Sequence, residues 1–335
     1  MSEFKNHDIS RRAALKGAVG LSLTAGAAAT ALGVSSNSAR AAADMLGVSR
    51  PSYYRYKLGD FEVTSVIDGV SDFGNPHQNF GINVSAEELA QAAEENFLPA
   101  ERLLIGFVPT VVNTGSELVL FDTGNGDRNS ASPGTLVASL QAAGYTADQI
   151  DVVVLTHLHP DHIGGMTNGD QPVFPNARYV VGQVEYDFWT SDDRLGTPAE
   201  GLSMLVRGKV VPFAEKSTFI GNGDAVVSGI TGVASFGHTP GHMAYHIESG
   251  SSRLMITGDA ANHPVFALQN PDWHFGFDAD KAGAVAARKE LFGLIASDKI
   301  PFVGYHMPFP SVGYVEPMTG SDGFRFVPVS YQLEL

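Results

Sequence analysis

The sequence predicts an α/β protein, with β-sheets inside and helices outside, in a single domain over residues 44–335. Three observations carry this. Apolar, β-branched runs such as "IDVVVLTH" read as buried strands. Segments of helical periodicity such as "TLVASLQAAG" alternate with them. No Pro/Ser-rich linker interrupts the alternation from about Tyr53 onward.

The elements follow in order. "FEVTSVIDG" reads as a strand and turn, and "FVPTVVNTGSELVLFDTG" as two strands joined at Gly115-Ser116 and ending at Asp122. "TLVASLQAAG" is a helix that stops at Gly144, and "IDVVVLTH" a buried strand. "ARYVVG" and "QVEYDFWTS" are a strand and a short helix; Phe188 to Val210 has little pattern and reads as a loop over the site. "MAYHIESGSSRLMITGDA" repeats the earlier hairpin, with its turn at Gly250-Ser251 and its end at Asp259. "DADKAGAVAARKELFGLIAS" is an amphipathic helix capped by Asp278 or Asp280, and "IPFVGYH" a last strand ending at His306. The two hairpins form a weak internal repeat, which predicts two similar β-rich halves facing each other.

Composition narrows the function. The chain carries a formal charge of −15 and no cysteine. Its acidity disfavours nucleic acid and anionic membranes as partners. The absence of thiols removes disulfides, thiolate ligands and cysteine nucleophiles together, so metal chemistry must use His, Asp and Glu.

Residues 1–43 differ in kind. Arg11-Arg12 precede an uncharged, small-residue run from Gly17 to Ser38, and "ARAAA" offers cleavage after Ala41 or Ala43. This order describes a signal peptide of twin-arginine (Tat) type, although Ala14 stands where an aromatic is more usual. The expectation is Tat export of a folded protein to the periplasm or medium, without stable membrane association. The signal carries a net +3, leaving the mature part at −18.

The chemistry concentrates in "VVVLTHLHPDHIGG", where His157, His159, Asp161 and His162 follow a buried strand. His157 and His159, two apart in extended backbone, project to one side. Asp161 and His162 follow as the chain turns. Three more strand ends deliver similar groups: His238 and His242 in "FGHTPGH", Asp259 in "MITGDA" and His306 in "VGYHMP". Neutral imidazoles and carboxylates converging from separate strand ends suit Zn²⁺, Fe or Mn²⁺.

These motifs, His-x-His-x-Asp-His followed by His, Asp and His, resemble the metallo-β-lactamase superfamily. The resemblance implies an αβ/βα sandwich with a dinuclear metal site at one edge. It assigns His157, His159 and His238 to one ion, Asp161, His162 and His306 to the other, and Asp259 to a bridge. Zinc is the expected metal, and Asp161 and Asp259 are the carboxylates of the catalytic centre. Within that superfamily the sequence resembles methyl parathion hydrolase and its lactonase-like relatives, through "YYRYKLGDFEVTSVIDG", "THLHPDHIGG", "GHTPGH" and "GFRFVPVSYQLEL". Asp122 and His242 are expected to support the ligands from behind. Trp189, His263 and Trp273 are expected to line the substrate pocket.

The resemblance implies attack of a metal-bound hydroxide on a small-molecule ester, a lactone or aryl ester. The main alternative is a phosphotriester, as in an organophosphate hydrolase. It is disfavoured by "NGDRNSASPG", which puts small polar residues where the parathion enzyme has an aromatic. Mononuclear iron oxygenation of thiols and non-catalytic metal binding are weaker rivals, because a full set of ligands for two ions is present. Oligomerisation is compatible with the sequence.

Overall fold

A computed structural model of the chain describes residues 44–127, 134–329 and 333–335. The chain divides into Met1–Ser49 and Arg50–Leu335, and the elements of the described residues lie in the second part. The expected signal peptide and the stretch 128–133 of the polar loop lie outside the described residues. Among the described residues no helix is long and apolar enough to cross a membrane.

Strands β1 (Tyr53–Leu58) and β2 (Phe61–Val66) form a hairpin. β3 (Gly69–Asp72) pairs with β4 (Leu104–Phe107) as a separate ribbon, and α1 (Ala86–Glu95) lies between them in sequence. Next come β5 (Thr110–Asn113), β6 (Leu118–Phe121), α2 (Leu136–Ala142), β7 (Val152–Leu155) and the single turn α3 (Pro160–Ile163). A small ribbon, β8 (Thr167–Asn168) and β9 (Gln171–Pro172), precedes β10 (Arg178–Gly182) and α4 (Gln183–Thr190). After these come α5 (Glu200–Lys209) and β11 (Ser217–Ile220). The second half comprises β12 (Ala225–Val227), β13 (Ile230–Ala234), β14 (Met243–Ser249) and β15 (Ser252–Ile256). It ends with α6 (Lys281–Asp298), β16 (Phe302–Val303), β17 (Val312–Pro317) and β18 (Phe324–Pro328).

Two seven-stranded mixed sheets result, in the orders β1-β2-β5-β6-β7-β10-β11 and β12-β13-β14-β15-β16-β17-β18. The predicted hairpins β5-β6 and β14-β15 occupy corresponding places, each flanked by a parallel strand, β7 and β16. Strand alternation then sorts side chains into layers. Val152 and Val154 of β7 join Met243, Tyr245 and Ile247 of β14 in the core between the sheets. Val153 and Leu155 face outward, onto α2 and α5 through Leu140 and Val206. Ala244 and Met255 face outward on the other sheet, onto α1 and α6 through Leu89 and Phe292. The layers are therefore helix, sheet, sheet, helix, the expected αβ/βα sandwich. β7 is buried on both faces, so a charge at Val153 or Val154 would forfeit about 1.5–3 kcal/mol of apolar burial and add desolvation.

Three local expectations change. Phe188 to Val210 is not a loop but holds the end of α4, a short 3₁₀ turn and α5. Its amphipathic pattern is short and broken by Gly196 and Pro198, which hides it from a periodicity argument. "IPFVGYH" yields only a two-residue strand, because the chain turns at Gly304 toward the site. Asp280, not Asp278, caps α6, accepting from the Gly283 N–H at 3.0 Å.

Candidate metal centre

Strands from both sheets hand over to loops that meet at one edge of the sandwich. The loop after β7 supplies His157, His159, Asp161 and His162; those after β13, β15 and β16 supply His238, Asp259 and His306. His159 is still extended, and Pro160 starts α3 with its φ preset, placing Asp161 and His162 on the first turn.

The structure brings all seven side chains together. Three donor sets each fit within 4.8 Å: His157–His159–His238, His157–His162–Asp259 and Asp161–His162–His306. His159 Nδ1 lies 3.0 Å from His238 Nε2. Asp161 Oδ2 is 3.4 Å from His306 Nε2 and 3.5 Å from His162 Nε2. Asp259 sits between the outer sets: its Oδ1 is 3.4 Å from His162 Nε2, and its Oδ2 is 3.4 Å from His238 Nε2 and 3.2 Å from His306 Nε2.

Four of the five imidazoles, all but His159, are held from behind. His162 Nδ1 donates to Asp122 Oδ2 at 2.8 Å, His238 Nδ1 to Asp278 Oδ1 at 2.8 Å, and His306 Nδ1 to the Gly106 carbonyl at 2.9 Å. His157 Nδ1 is 3.1 Å from the Thr156 hydroxyl, which itself donates to Asp122 Oδ2 at 2.9 Å. These partners put protons on the rear nitrogens and leave front lone pairs for a metal. Asp122 does this from a left-handed backbone conformation, φ 62°, just beyond β6. His242 faces away from the donor sets. Its Nδ1 donates to the Ser235 carbonyl at 3.0 Å, and its Nε2 accepts the Asp259 N–H at 3.0 Å. Glycine is required at Gly258, since a Cβ there would approach His242 Nε2 to 2.7 Å at a φ of +49°.

Burial and neighbours divide the imidazoles. Burial, with His238 close by, pushes His159 down to about 3, and burial with His162 and His159 holds His157 well below the usual range. Burial also opposes charge on His306 and His162, but the surrounding carboxylates prevail. Asp259 and Asp161 raise His306 to about 10, while Asp122, Asp259 and Asp161 raise His162 well above its usual value.

The residues fit a pair of divalent ions. His157 Nε2, His162 Nε2 and Asp259 Oδ1 are buried with no hydrogen-bond partner among the described residues. Such atoms are costly unless a ligand satisfies them, and all three face the donor sets. Imidazole nitrogens and carboxylate oxygens without thiolate are a suitable donor set for zinc, iron or manganese.

A cavity of about 380 Å³ opens onto His159, Asp161, His238, Asp259 and His306. Its apolar walls are Phe73, Phe80, Ile105, Phe107, Leu202 and Phe277, with Ser71 and Asn262 as polar members. None of the three residues expected in the pocket lines it. Trp189 lies behind His159, ring centroids 6.3 Å apart, and donates to Glu185 Oε1 at 2.8 Å. His263 caps a short helical segment, accepting from the N–H groups of Val265 and Phe266, and stacks on Phe266. Trp273 stacks on the other side of that cluster and is buried. Large aromatic rings near a ligand in sequence are used here to fill the core behind it.

Sequence reasoning also missed several supports. Glu185, wholly buried, accepts from the N–H groups of Leu158 at 3.0 Å and Gly241 at 2.9 Å, tying two histidine loops together. Arg288 of α6 donates to the Ala260 carbonyl at 3.0 Å and pairs with Asp278 at 3.4 Å, anchoring the carboxylate behind His238. Tyr305 lays its ring on His162, centroids 3.9 Å apart, and donates to the Asp161 carbonyl at 2.6 Å. Only Tyr305, adjacent to His306, carried any signal in the sequence.

An αβ/βα sandwich with this edge site is the architecture of a dinuclear metal-binding protein. The chain belongs to the metallo-beta-lactamase superfamily, whose pattern it matches over residues 109–299. It is 25% identical over 171 residues to an N-acyl homoserine lactonase of Bacillus cereus, covering 51% of this chain and 61% of that protein. It is 26% identical over 185 residues to a probable metallo-hydrolase of Mycobacterium tuberculosis, covering 46% and 56%. The match therefore spans about three fifths of these curated relatives. Among solved structures it is similar to AidC, a dizinc quorum-quenching lactonase, at TM-score 0.76 and 29% identity, over 84% of this chain and 98% of that one. The hydrolase AbOPH shares the fold at TM-score 0.79 and 24% identity, over 85% and 99%.

Proposed function

We propose that this protein is a dinuclear metal-dependent hydrolase of lactones or aryl esters, with zinc as the metal. One observation carries the reading: paired His/Asp donor sets joined by Asp259 form the floor of a largely apolar cavity of about 380 Å³, a size suited to small molecules. The likeness to AidC supports both zinc and the lactone class.

His157, His159 and His238 would hold one ion, Asp161, His162 and His306 the other, and Asp259 both. Two such ions supply Lewis acidity toward a carbonyl oxygen and an activated water. The chain supplies the rest. Asp122, Asp278 and the Gly106 carbonyl hold protons at the rear nitrogens of His162, His238 and His306, so those rings present lone pairs in fixed orientations. Phe73, Phe80, Phe107 and Phe277 bind the apolar part of the substrate and exclude water around the carbonyl. Burial keeps His157 and His159 neutral at physiological pH.

A phosphotriester is a second reading, and one feature favours it more than the sequence does. Apolar walls for an aryl leaving group come from four phenylalanines on other segments, so the polar loop "NGDRNSASPG" does not strip the pocket of them. The test is purified protein with elemental analysis, assayed on a γ-lactone, an aryl ester and an aryl phosphotriester. We expect about two ions per chain and a kcat/KM at least roughly tenfold higher for the lactone or aryl ester, about 1.4 kcal/mol of preference. Preference for the phosphotriester installs the second reading, and hydrolysis of none with two ions bound removes both.

A further inference from the structure

The three imidazoles assigned to the first ion come from two loops that belong to different sheets. His157 and His159 follow β7, and His238 follows β13. Both loops are bonded to one side chain on the first turn of α4, the wholly buried carboxylate of Glu185. Its Oε1 accepts the N–H of Leu158, the residue between His157 and His159, at 3.0 Å, and the indole N–H of Trp189 at 2.8 Å. Its Oε2 accepts the N–H of Gly241 at 2.9 Å, in the loop that runs from His238 to His242. Each oxygen therefore serves one loop. A Cβ on Gly241 would collide with the Glu185 backbone, so glycine is what lets this loop come down onto the helix. One backbone bond also joins the loops, from the Met243 N–H to the Thr156 carbonyl at 2.9 Å. It lies outside both ligand segments, before His157 and after His242.

A carboxylate in the interior is costly, and an apolar side chain would fill the same space at less expense in solvation. What the carboxylate adds is geometry. Two acceptors in one plane, fixed by α4, hold two backbone donors at a set separation. That separation governs the spacing of His159 and His238, whose Nδ1 and Nε2 are 3.0 Å apart. We infer that Glu185 is a positioning residue for the first ion, setting the two ligand loops in register before the ion arrives. Less conformational freedom is then lost on binding, and affinity rises. This rests on the assignment of His157, His159 and His238 to one ion in the reading above. Glu185→Gln is the informative change. A carboxamide keeps Oε1 with its two donors and turns its NH₂ toward the Gly241 N–H, so one tie is cut while the shape is kept.

The test measures zinc affinity of chelator-stripped, full-length protein and not turnover. Asp161→Ala leaves the imidazoles of the first ion in place, and His159→Ala leaves the ligands of the second. Added to Asp161→Ala, Glu185→Gln should weaken zinc about tenfold, the low end of what losing an outer partner costs. Added to His159→Ala, it should change little. Trp189→Phe removes a donor from the same carboxylate but cuts neither loop, so it should lower stability and spare zinc affinity in both backgrounds. Equal losses in both backgrounds, no loss in either, or a loss on Trp189→Phe matching that on Glu185→Gln overturns the assignment. The wild type gives a second readout, which stands even if a variant does not fold. In metal-free protein the Leu158 and Gly241 amides should exchange with deuterium as slowly as those of β7. Rapid exchange that only zinc suppresses overturns the positioning role. A wild type that binds fewer than two ions while both amides stay protected upholds Glu185 as the tie and overturns only the dinuclear reading.

Discussion

Asp122→Asn isolates what a carboxylate contributes behind a ligand. Asparagine tolerates a positive φ as well as aspartate does, so the backbone at φ 62° is not disturbed. Asp122 Oδ1 accepts the Thr156 N–H at 2.8 Å, and Oδ2 accepts from Thr156 Oγ1 at 2.9 Å and His162 Nδ1 at 2.8 Å. The amide oxygen of Asn keeps the first bond, which places its NH₂ where Oδ2 was. The Thr156 hydroxyl can rotate and accept from that NH₂ while still accepting from His157 Nδ1, so His157 is spared. His162 cannot adapt in the same way. Its Nδ1–H now faces another donor, and relieving the clash moves the proton to Nε2, the nitrogen that points into the site.

Loss of such a partner typically costs 10–100-fold in metal affinity, about 1.4–2.7 kcal/mol. It should fall on the set of Asp161, His162 and His306. Zinc titration of chelator-stripped protein against a competing chelator should show the second ion weakened by that factor and the first nearly unchanged. Equal affinity for both ions in the variant and the wild type would refute the tautomer argument, as would selective loss of the first ion.

Three further expectations follow from particular contacts. His242→Ala strips the acceptor from the Asp259 N–H and the donor from the Ser235 carbonyl, so unfolding free energy should fall by roughly 3–5 kcal/mol in denaturant titrations. Two ions should remain by elemental analysis, and loss of one would make His242 a ligand. Burial raises the carboxyl of Glu185, although hydrogen bonds from Leu158 and other donors oppose the shift. A raised folded value means stability fully present below the unfolded value of about 4.3 and lost as pH rises through the folded value. The advantage of the metal-free wild type over Glu185→Gln should therefore narrow with rising pH in that window and then level off. A gap that widens instead contradicts the burial argument. Replacing both Arg11 and Arg12 by Lys should abolish export if the route is the twin-arginine one; cell fractionation showing normal periplasmic protein would assign the general secretory route.

The centre was largely legible because its signals are local. Alternation and β-branching marked the strands, and four of the seven metal-type side chains lie within six consecutive positions, His157 to His162. The others each follow an apolar run at a glycine-containing turn, so their approach to one edge follows from the predicted sandwich. The helix α5 escaped because its periodicity is short and starts after Gly196 and Pro198.

By itself, then, the sequence determined the layers, the hairpin repeat and the cluster of donors, all of which depend on spacing along the chain. Tertiary structure alone decided the pocket. Phe73 and Phe277 are some two hundred residues apart, yet their rings pack edge to face with centroids 5.9 Å apart, and both line the cavity. Trp189, which looked like a pocket wall from its place in the sequence, is drawn back by its bond to the buried Glu185. Periodicity reports which face of an element is apolar, but not whether that face meets another element or an open space. Which phenylalanines border the cavity and which fill the core depends on long-range packing of the β3–β4 ribbon, α5 and the segment before α6.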